Sequence, residues 1–135
     1  MLTEMEKIEK IIRKGLFSMS EAIYQHWPLA DENTENEISE ANITIHLAHA
    51  FINAGYSAFA EYRINENEHY DLKAVCPNKS HQIILESKRF LKSDKTSMVY
   101  DLERMLDEPK GDGPIYGVVA CLTQNINVHD WWVDP

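Results

Sequence analysis

The sequence predicts an α/β fold in a single domain, and three observations lead to this prediction. Apolar residues recur every three or four positions over residues 3–26, which is typical of an amphipathic helix. Between residues 56 and 90, three β-type segments alternate with polar turns. Residues 115–122, IYGVVACL, are nearly all apolar, which favours a central strand with both faces covered. At 135 residues, the chain is long enough for one domain with its own core.

The first predicted helix begins with a capping box formed by Thr3 and Glu6 and ends at Trp27-Pro28. Gly15 lies inside it and can mark a kink or a break. The helix has one apolar stripe, and packing against a core explains that stripe. The stripe consists of Met5, Ile8, Ile12, Leu16, Met19 and Ile23.

A second helix is predicted from Ser39 to Ala54, after a polar loop over residues 29–37. Gly55 closes this helix, as glycine commonly does at a helix C-terminus. Glu40 lies in the first turn, where a carboxylate is favourable to the helix dipole. Glu40 therefore has a structural explanation, and a catalytic role would be additional.

Three strands are predicted next, and they form an antiparallel meander. They cover about residues 56–65, 70–76 and 81–90. Asn and Glu residues at 65–68 make the first turn, and the second turn is Pro77-Asn78-Lys79-Ser80.

A third helix is predicted over residues 95–107, capped by Ser93 or Asp94. A Gly/Pro loop leads from this helix to the apolar strand. The tail after that strand contains Trp131 and Trp132. These large side chains can close the edge of the core, form a dimer seam or stack on a partner.

The net charge of −9 opposes binding to nucleic acid unless positive charge is concentrated locally. Two clusters of basic residues provide such a concentration, one directly after Glu86 and one on the first helix. They are Lys88, Arg89, Lys92 and Lys95, and Lys7, Lys10, Arg13 and Lys14. A bound divalent cation would neutralise part of the acidic charge.

The composition also indicates a location and a redox state. No apolar run is long enough to cross a bilayer, and the charged N-terminal segment lacks the apolar core of a signal peptide. We therefore expect a cytoplasmic protein that does not enter a membrane. Cys76 and Cys121 lie in predicted strands, and we expect them to be buried small apolar residues and not a disulfide.

The candidate functional residues lie on the second and third predicted strands. Glu86 and Lys88 are two residues apart and therefore point to one face, and a neighbouring strand can bring Asp71 beside them. Carboxylates bind hard cations, and a lysine can stabilise charge at phosphorus. The three side chains therefore suit magnesium-dependent cleavage of phosphodiester bonds. The alternative is a solvated strand face with a cross-strand ion pair.

This order of elements, together with Asp71 and the motif Glu86-Ser87-Lys88, resembles the PD-(D/E)XK nuclease superfamily, which has the restriction-endonuclease-like fold. The resemblance implies an αβββαβ core over residues 37–123, with a mixed sheet flanked by helices.

The resemblance also implies how the single domain, residues 1–135, is divided. Residues 1–28 form an extra N-terminal helical extension, and residues 124–135 form a tail. Two features differ from the family pattern. Tyr70 stands where many members have proline, and no C-terminal core helix follows Leu122.

The implied activity is hydrolysis of nucleic acid, with DNA favoured, by a nuclease that uses Mg²⁺ or Mn²⁺. Asp71 and Glu86 would hold the metal, joined by Glu40 or, as second choice, by Glu37. Lys88 would complete the catalytic set.

The implied partners are the nucleic-acid backbone, contacted by Arg89, Lys92 and Lys95, and a second copy of the chain. A homodimer would form through the first helix or through Trp131 and Trp132. The alternative from another functional class is a catalytically inactive module on the same fold, which binds a protein partner through that helix and tail.

Overall fold

The computed structural model describes residues 1–26, 40–90, 95–107 and 113–123. These residues form three helices and a four-stranded sheet, so the predicted α/β class is confirmed. In chain order the elements are α1 (Glu4–His26), α2 (Glu40–Asn53), β1 (Ser57–Arg63), β2 (His69–Val75), β3 (Gln82–Phe90), α3 (Lys95–Leu106) and β4 (Ile115–Thr123).

The sheet has the strand order β1-β2-β3-β4 and is mixed. The pairs β1/β2 and β2/β3 are antiparallel, whereas β3 and β4 are parallel. A parallel pair needs a crossover connection, and α3 lies in that connection between β3 and β4. The three-stranded meander predicted from the sequence is therefore confirmed. The predicted central position of the apolar strand is wrong, because β4 lies at the edge of the described sheet, next to β3. Its apolar character is explained by contacts on both faces, since Tyr116 and Val118 pack against one core cluster and Ile115 and Val119 against the other.

The capping box at the start of α1 is confirmed. The Thr3 amide donates to Glu6 Oε2 and the Glu6 amide donates to Thr3 Oγ1, each over 3.1 Å. Of the predicted apolar stripe, Met5 is the exception, because its side chain is 65% exposed. It lies in the first turn of α1, one turn before Ile8, which is buried.

Gly15 does not break α1, which runs as one helix through this position. It lies instead where α1 crosses α2. A Cβ at Gly15 would lie 2.9 Å from Leu47 Cδ2 and 3.1 Å from the His46 carbonyl oxygen. The absence of a side chain therefore allows the two helix backbones to approach closely.

One face of the sheet carries the main core, to which both α1 and α2 contribute. The buried members of this core are Ile8, Met19, Ile43, Leu47, Phe51, Leu72, Ala74, Ile83, Leu85 and Ala120. A smaller cluster of Tyr70, Ile84 and Met105 lies between the other face and α3. Because Ile8 and Met19 are buried in the main core, α1 packs as part of the domain and does not project from it.

Glu4 attaches the start of α1 to the sheet. The Tyr116 hydroxyl donates to Glu4 Oε1 over 2.7 Å, and Glu4 Oε2 lies 3.3 Å from Nδ1 of the buried His81. The Tyr56 hydroxyl lies 2.6 Å from His81 Nε2. These contacts join the start of α1 to β4 and to the residue that precedes β3. Both cysteines are free, as predicted.

The Gly15 crossing gives a stability prediction. Gly15→Val is expected to lower the free energy of unfolding by about 2 kcal/mol, because the added atoms must displace Leu47 or separate the helices. Urea denaturation measures this change. Ser20→Val on the exposed side of α1 is the matched control, and we expect it to stay within about 0.5 kcal/mol of the parent protein. Equal stability of the two variants would contradict the close crossing.

Candidate metal and catalytic site

The strands β2 and β3 separate at the candidate site. Their ladder runs from Val75 paired with Gln82 to Leu72 paired with Leu85, and it ends there. Beyond this point β2 continues beside β1, and β3 continues beside β4. Extending the register by one residue places Asp71 opposite Glu86, at the point where the two strands separate. We call this point the strand fork.

Asp71 holds the two sides of the fork together. Its Oδ2 accepts the Ser87 amide hydrogen over 2.7 Å, in place of a main-chain acceptor on β2. The Ser87 hydroxyl lies 2.7 Å from Thr44 Oγ1, so the same residue also connects β3 to α2. Thr44 and Ser87 satisfy each other within the core face of the sheet, where Ser87 is buried. The fork is thus fixed by polar contacts on both β2 and α2.

The carboxyl group of Asp71 is close enough to Glu86 to affect the ionisation of Glu86. Burial, the charge of Asp71, a hydrogen bond with Asp71 and the charge of Asp101 together raise the pKa of Glu86 to about 8. Arg104 opposes this pKa increase. Two carboxyl groups at one partly buried place favour either a shared proton or a cation between them.

Two neighbouring carboxyl groups are chemically suited to a hard divalent cation. Among the described residues, no group of three or more His, Cys, Asp and Glu side chains is placed to bind one ion. Two carboxylates suffice for magnesium, which commonly keeps several water ligands and shares its site with substrate phosphates. Asp71 and Glu86 are therefore the residues that can hold a metal ion here.

Lys88 lies on the same face of β3 as Glu86, as predicted from their spacing. Its Nζ is 2.7 Å from Asp101 Oδ2, and only 22% of its side chain is exposed. Burial lowers the pKa of Lys88, but the hydrogen bond and charge of Asp101 outweigh this effect, and Glu40 and Glu86 add to it. The net result is a raised pKa, so Lys88 is a cation at neutral pH.

Arg104 of α3 is the second cation at the site. Its Nη2 lies 2.9 Å from Glu86 Oε1 and 3.6 Å from Asp101 Oδ1. Its guanidinium group is 5.0 Å from the centre of the Tyr70 ring. Asp101 and Arg104 were not among the residues predicted from the sequence. The sequence shows that these two residues are three apart on a predicted helix, but it does not show which strands this helix covers.

Glu40 lies at the first residue of α2, and its side chain borders an open pocket of about 370 Å³. Glu61 and Asp71 line the same pocket. Glu61 was also not among the site residues predicted from the sequence. It has a φ of 51°, in the left-handed region that non-glycine residues rarely adopt, and the register of β1 and β2 places it opposite Asp71. The regular pairing of β2 is therefore interrupted at Asp71, both toward β1 and toward β3.

The remaining predicted site residues are less completely described. Arg89 pairs with Leu122 in the ladder between β3 and β4, and Lys95 begins α3, each as a backbone position only. Other predicted contributors lie outside the described residues. These are Glu37, Lys92, Trp131 and Trp132.

Comparisons of the chain with protein-family models, with curated proteins and with solved structures found no match. Within residues 1–26, 40–90, 95–107 and 113–123, no helix combines the length and the apolar character needed to cross a membrane.

Proposed function

We propose that the protein is a magnesium-dependent nuclease of the PD-(D/E)XK type, which hydrolyses phosphodiester bonds in nucleic acid, with DNA favoured. The observation that carries this proposal is the position of Asp71 opposite Glu86 at the strand fork, with Lys88 on the same face of β3 as Glu86. A pair of carboxylates beside a lysine can hold both a metal ion and a phosphate group.

Each side chain has a defined role in this proposal. Asp71 and Glu86 hold Mg²⁺ or Mn²⁺, and Glu40 faces the adjoining pocket from the start of α2. The cation would act as a Lewis acid at the phosphoryl group. Lys88, which is charged and held in place, stabilises the negative charge that develops at phosphorus.

The topology supports the same interpretation. From α2 to β4 the elements follow the order αβββαβ, in a mixed sheet whose last two strands are parallel. This is the order expected of the restriction-endonuclease-like fold. In the proposal, Asp71 is the acidic residue of the second core strand, and Glu86-Ser87-Lys88 is the motif of the third.

Substrate binding would depend on local positive charge, since the whole chain has a net charge of −9. Arg89, Lys92 and Lys95 follow the catalytic motif and are proposed to contact the nucleic-acid backbone. Backbone contacts make affinity fall steeply with added salt, and they carry little sequence preference. A homodimer would bring two such sites to one duplex.

Cleavage of labelled single-stranded and double-stranded DNA and RNA tests the proposal. The purified protein is expected to cleave at least one DNA substrate with Mg²⁺ or Mn²⁺ and none with EDTA. Asp71→Asn, purified in parallel, controls for a contaminating nuclease and is expected to be inactive. Metal-dependent cleavage of RNA but not DNA would reverse the preferred substrate. A lack of cleavage of all four substrates would contradict the nuclease assignment.

A second candidate is a module that acts by binding a protein partner, and exposed aromatic residues on α1 favour it. Phe17 is 67% exposed and Tyr24 is 82% exposed, and they are seven residues apart, so they lie on one face of the helix. Sedimentation velocity on the protein and on a Phe17→Ser/Tyr24→Ser variant separates two outcomes. If the unaltered protein is a dimer and the variant is a monomer, the chain self-associates through α1. If both are monomers, the partner of this face is a different protein.

A further inference from the structure

We infer that Asp101 and Arg104 of α3 are positioning residues that hold Lys88 and Glu86 in one catalytic arrangement. This inference rests on the proposed nuclease function and adds two residues to its site. It is carried by a chain of contacts in which α3 joins the two strand residues to each other.

The first contact in the chain fixes the lysine. Asp101 is a buried acidic residue, and its Oδ2 lies 2.7 Å from Lys88 Nζ. A lysine side chain has four rotatable bonds, and it loses considerable rotamer freedom when its ammonium group is held in place. Asp101 supplies the charge that offsets the partial burial of the ammonium group. An ammonium group has three donors, so contact with Asp101 is compatible with contact to a phosphate oxygen.

The second part of the chain fixes the carboxylate. Arg104 Nη2 lies 2.9 Å from Glu86 Oε1, and the same nitrogen lies 3.6 Å from Asp101 Oδ1. The guanidinium group is flanked by the Tyr70 ring at 5.0 Å. A planar group with these three neighbours has little freedom to rotate. Because a carboxylate has two oxygens with several acceptor positions, Glu86 can contact Arg104 through one oxygen and a cation through the other.

The geometry of the helix explains why both residues reach the site. Asp101 and Arg104 are three residues apart, so they lie on one side of α3. Met105 on the same helix is buried with Tyr70 and Ile84 against the sheet. The packing of α3 therefore determines where the charged pair stands. Outer residues of this kind commonly affect metal affinity or activity by about 10–100-fold.

Asp101→Asn is the most direct test, because asparagine has nearly the same shape and lacks the charge. We expect this variant to fold, as judged by circular dichroism, and to lose about tenfold or more in kcat for cleavage of a labelled DNA duplex. We expect its KM to change by less than about twofold, since Asp101 is buried. Mn²⁺ affinity, measured by calorimetry without DNA, should stay within about threefold, since Asp101 is not one of the two carboxylates proposed to hold the ion and acts on Glu86 through its charge.

A conservative variant and a control complete the test. Asp101→Glu keeps the charge and is expected to restore at least about one third of kcat. Glu103→Gln removes an exposed carboxylate from the same helix and is expected to have no effect. The double variant Asp101→Asn/Arg104→Gln should lose no more activity than the worse single variant, because the two residues act as one unit.

The outcomes separate this inference from the proposed function. If the unaltered protein neither binds Mn²⁺ nor cleaves, the nuclease function and the positioning role are both overturned. If it does both, and Asp101→Asn equals it in kcat, the positioning role alone is overturned. A higher kcat in Asp101→Asn would also overturn it, since Asp101 would then restrain Lys88 and not support it. If Asp101→Asn does not fold, additive losses in folded Asp101→Glu and Arg104→Lys variants would overturn the role.

Discussion

Lys88→Ala is expected to reduce cleavage by about 10²–10³-fold at saturating Mg²⁺, with Mn²⁺ binding retained. The Lys88 ammonium group lies on the same face of β3 as Glu86, and its position is fixed by the ion pair with Asp101. Removing a fixed donor from the place where charge develops has an effect of that size in other enzymes. Single-turnover cleavage of a labelled duplex measures the change in the chemical step.

Lys73→Ala is the matched control for Lys88→Ala. Lys73 lies two residues after Asp71, so it has the same sequence pattern as Lys88 after Glu86. Its Nζ lies over the Tyr62 ring at 4.0 Å, on the β1 side of the sheet. We expect Lys73→Ala to cleave at the rate of the unaltered protein. Full activity in Lys88→Ala, or equal loss in both variants, would be incompatible with the proposed role of Lys88.

Glu86→Gln is expected to weaken Mn²⁺ binding by about 100-fold or more, because it removes one of the two carboxylates that can hold the ion. The pH dependence should change as well. Burial and the nearby Asp71 raise the pKa of Glu86 to about 8, so below that pH the metal must displace a proton. Release of one proton makes affinity increase about tenfold per pH unit from pH 6 to 8 and level off above.

Calorimetry in two buffers of different ionisation heat detects this proton release directly. Glu86→Gln has no such proton to release, and its weaker binding is expected to vary little over the same pH range. Glu68→Gln, which alters an exposed carboxylate before β2, serves as the control with the same loss of charge. A flat pH profile in the unaltered protein would show that Glu86 is ionised before the metal arrives or does not bind it.

Local patterns in the sequence were sufficient for most of the fold. The Thr3 and Glu6 capping box, the three strands and the existence of β4 each depend on neighbouring residues, and the structure has all of them. The edge position of β4 was not predicted, because it depends on how the strands pair. Gly15 was less predictable. A glycine within a helical pattern is equally compatible with a kink and with a close helix crossing, and only the position of α2 distinguishes them.

The part of the candidate site that lies on the strands was predictable, but the part that lies on α3 was not. Strand periodicity places Glu86 and Lys88 on one face, and the β2/β3 register, extended by one residue, brings Asp71 next to Glu86. The contributions of Asp101 and Arg104 depend on how α3 lies over the sheet, which no local spacing specifies. The positive φ of Glu61 was not predicted either, because no local pattern around this residue indicates it.

The strand fork has a consequence for ion size. Asp71 is carried by the β1/β2 hairpin and Glu86 by the β3/β4 pair, and the contact from the Ser87 amide to Asp71 spans the gap between them. Magnesium requires oxygens at about 2.1 Å, whereas calcium requires about 2.4 Å. In the proposed metal site, a change in this gap would alter the fit of the two ions. Discrimination between them would therefore depend on the stiffness of the polar contacts that fix the fork, from the Ser87 amide to Asp71 and between the Ser87 and Thr44 hydroxyl groups.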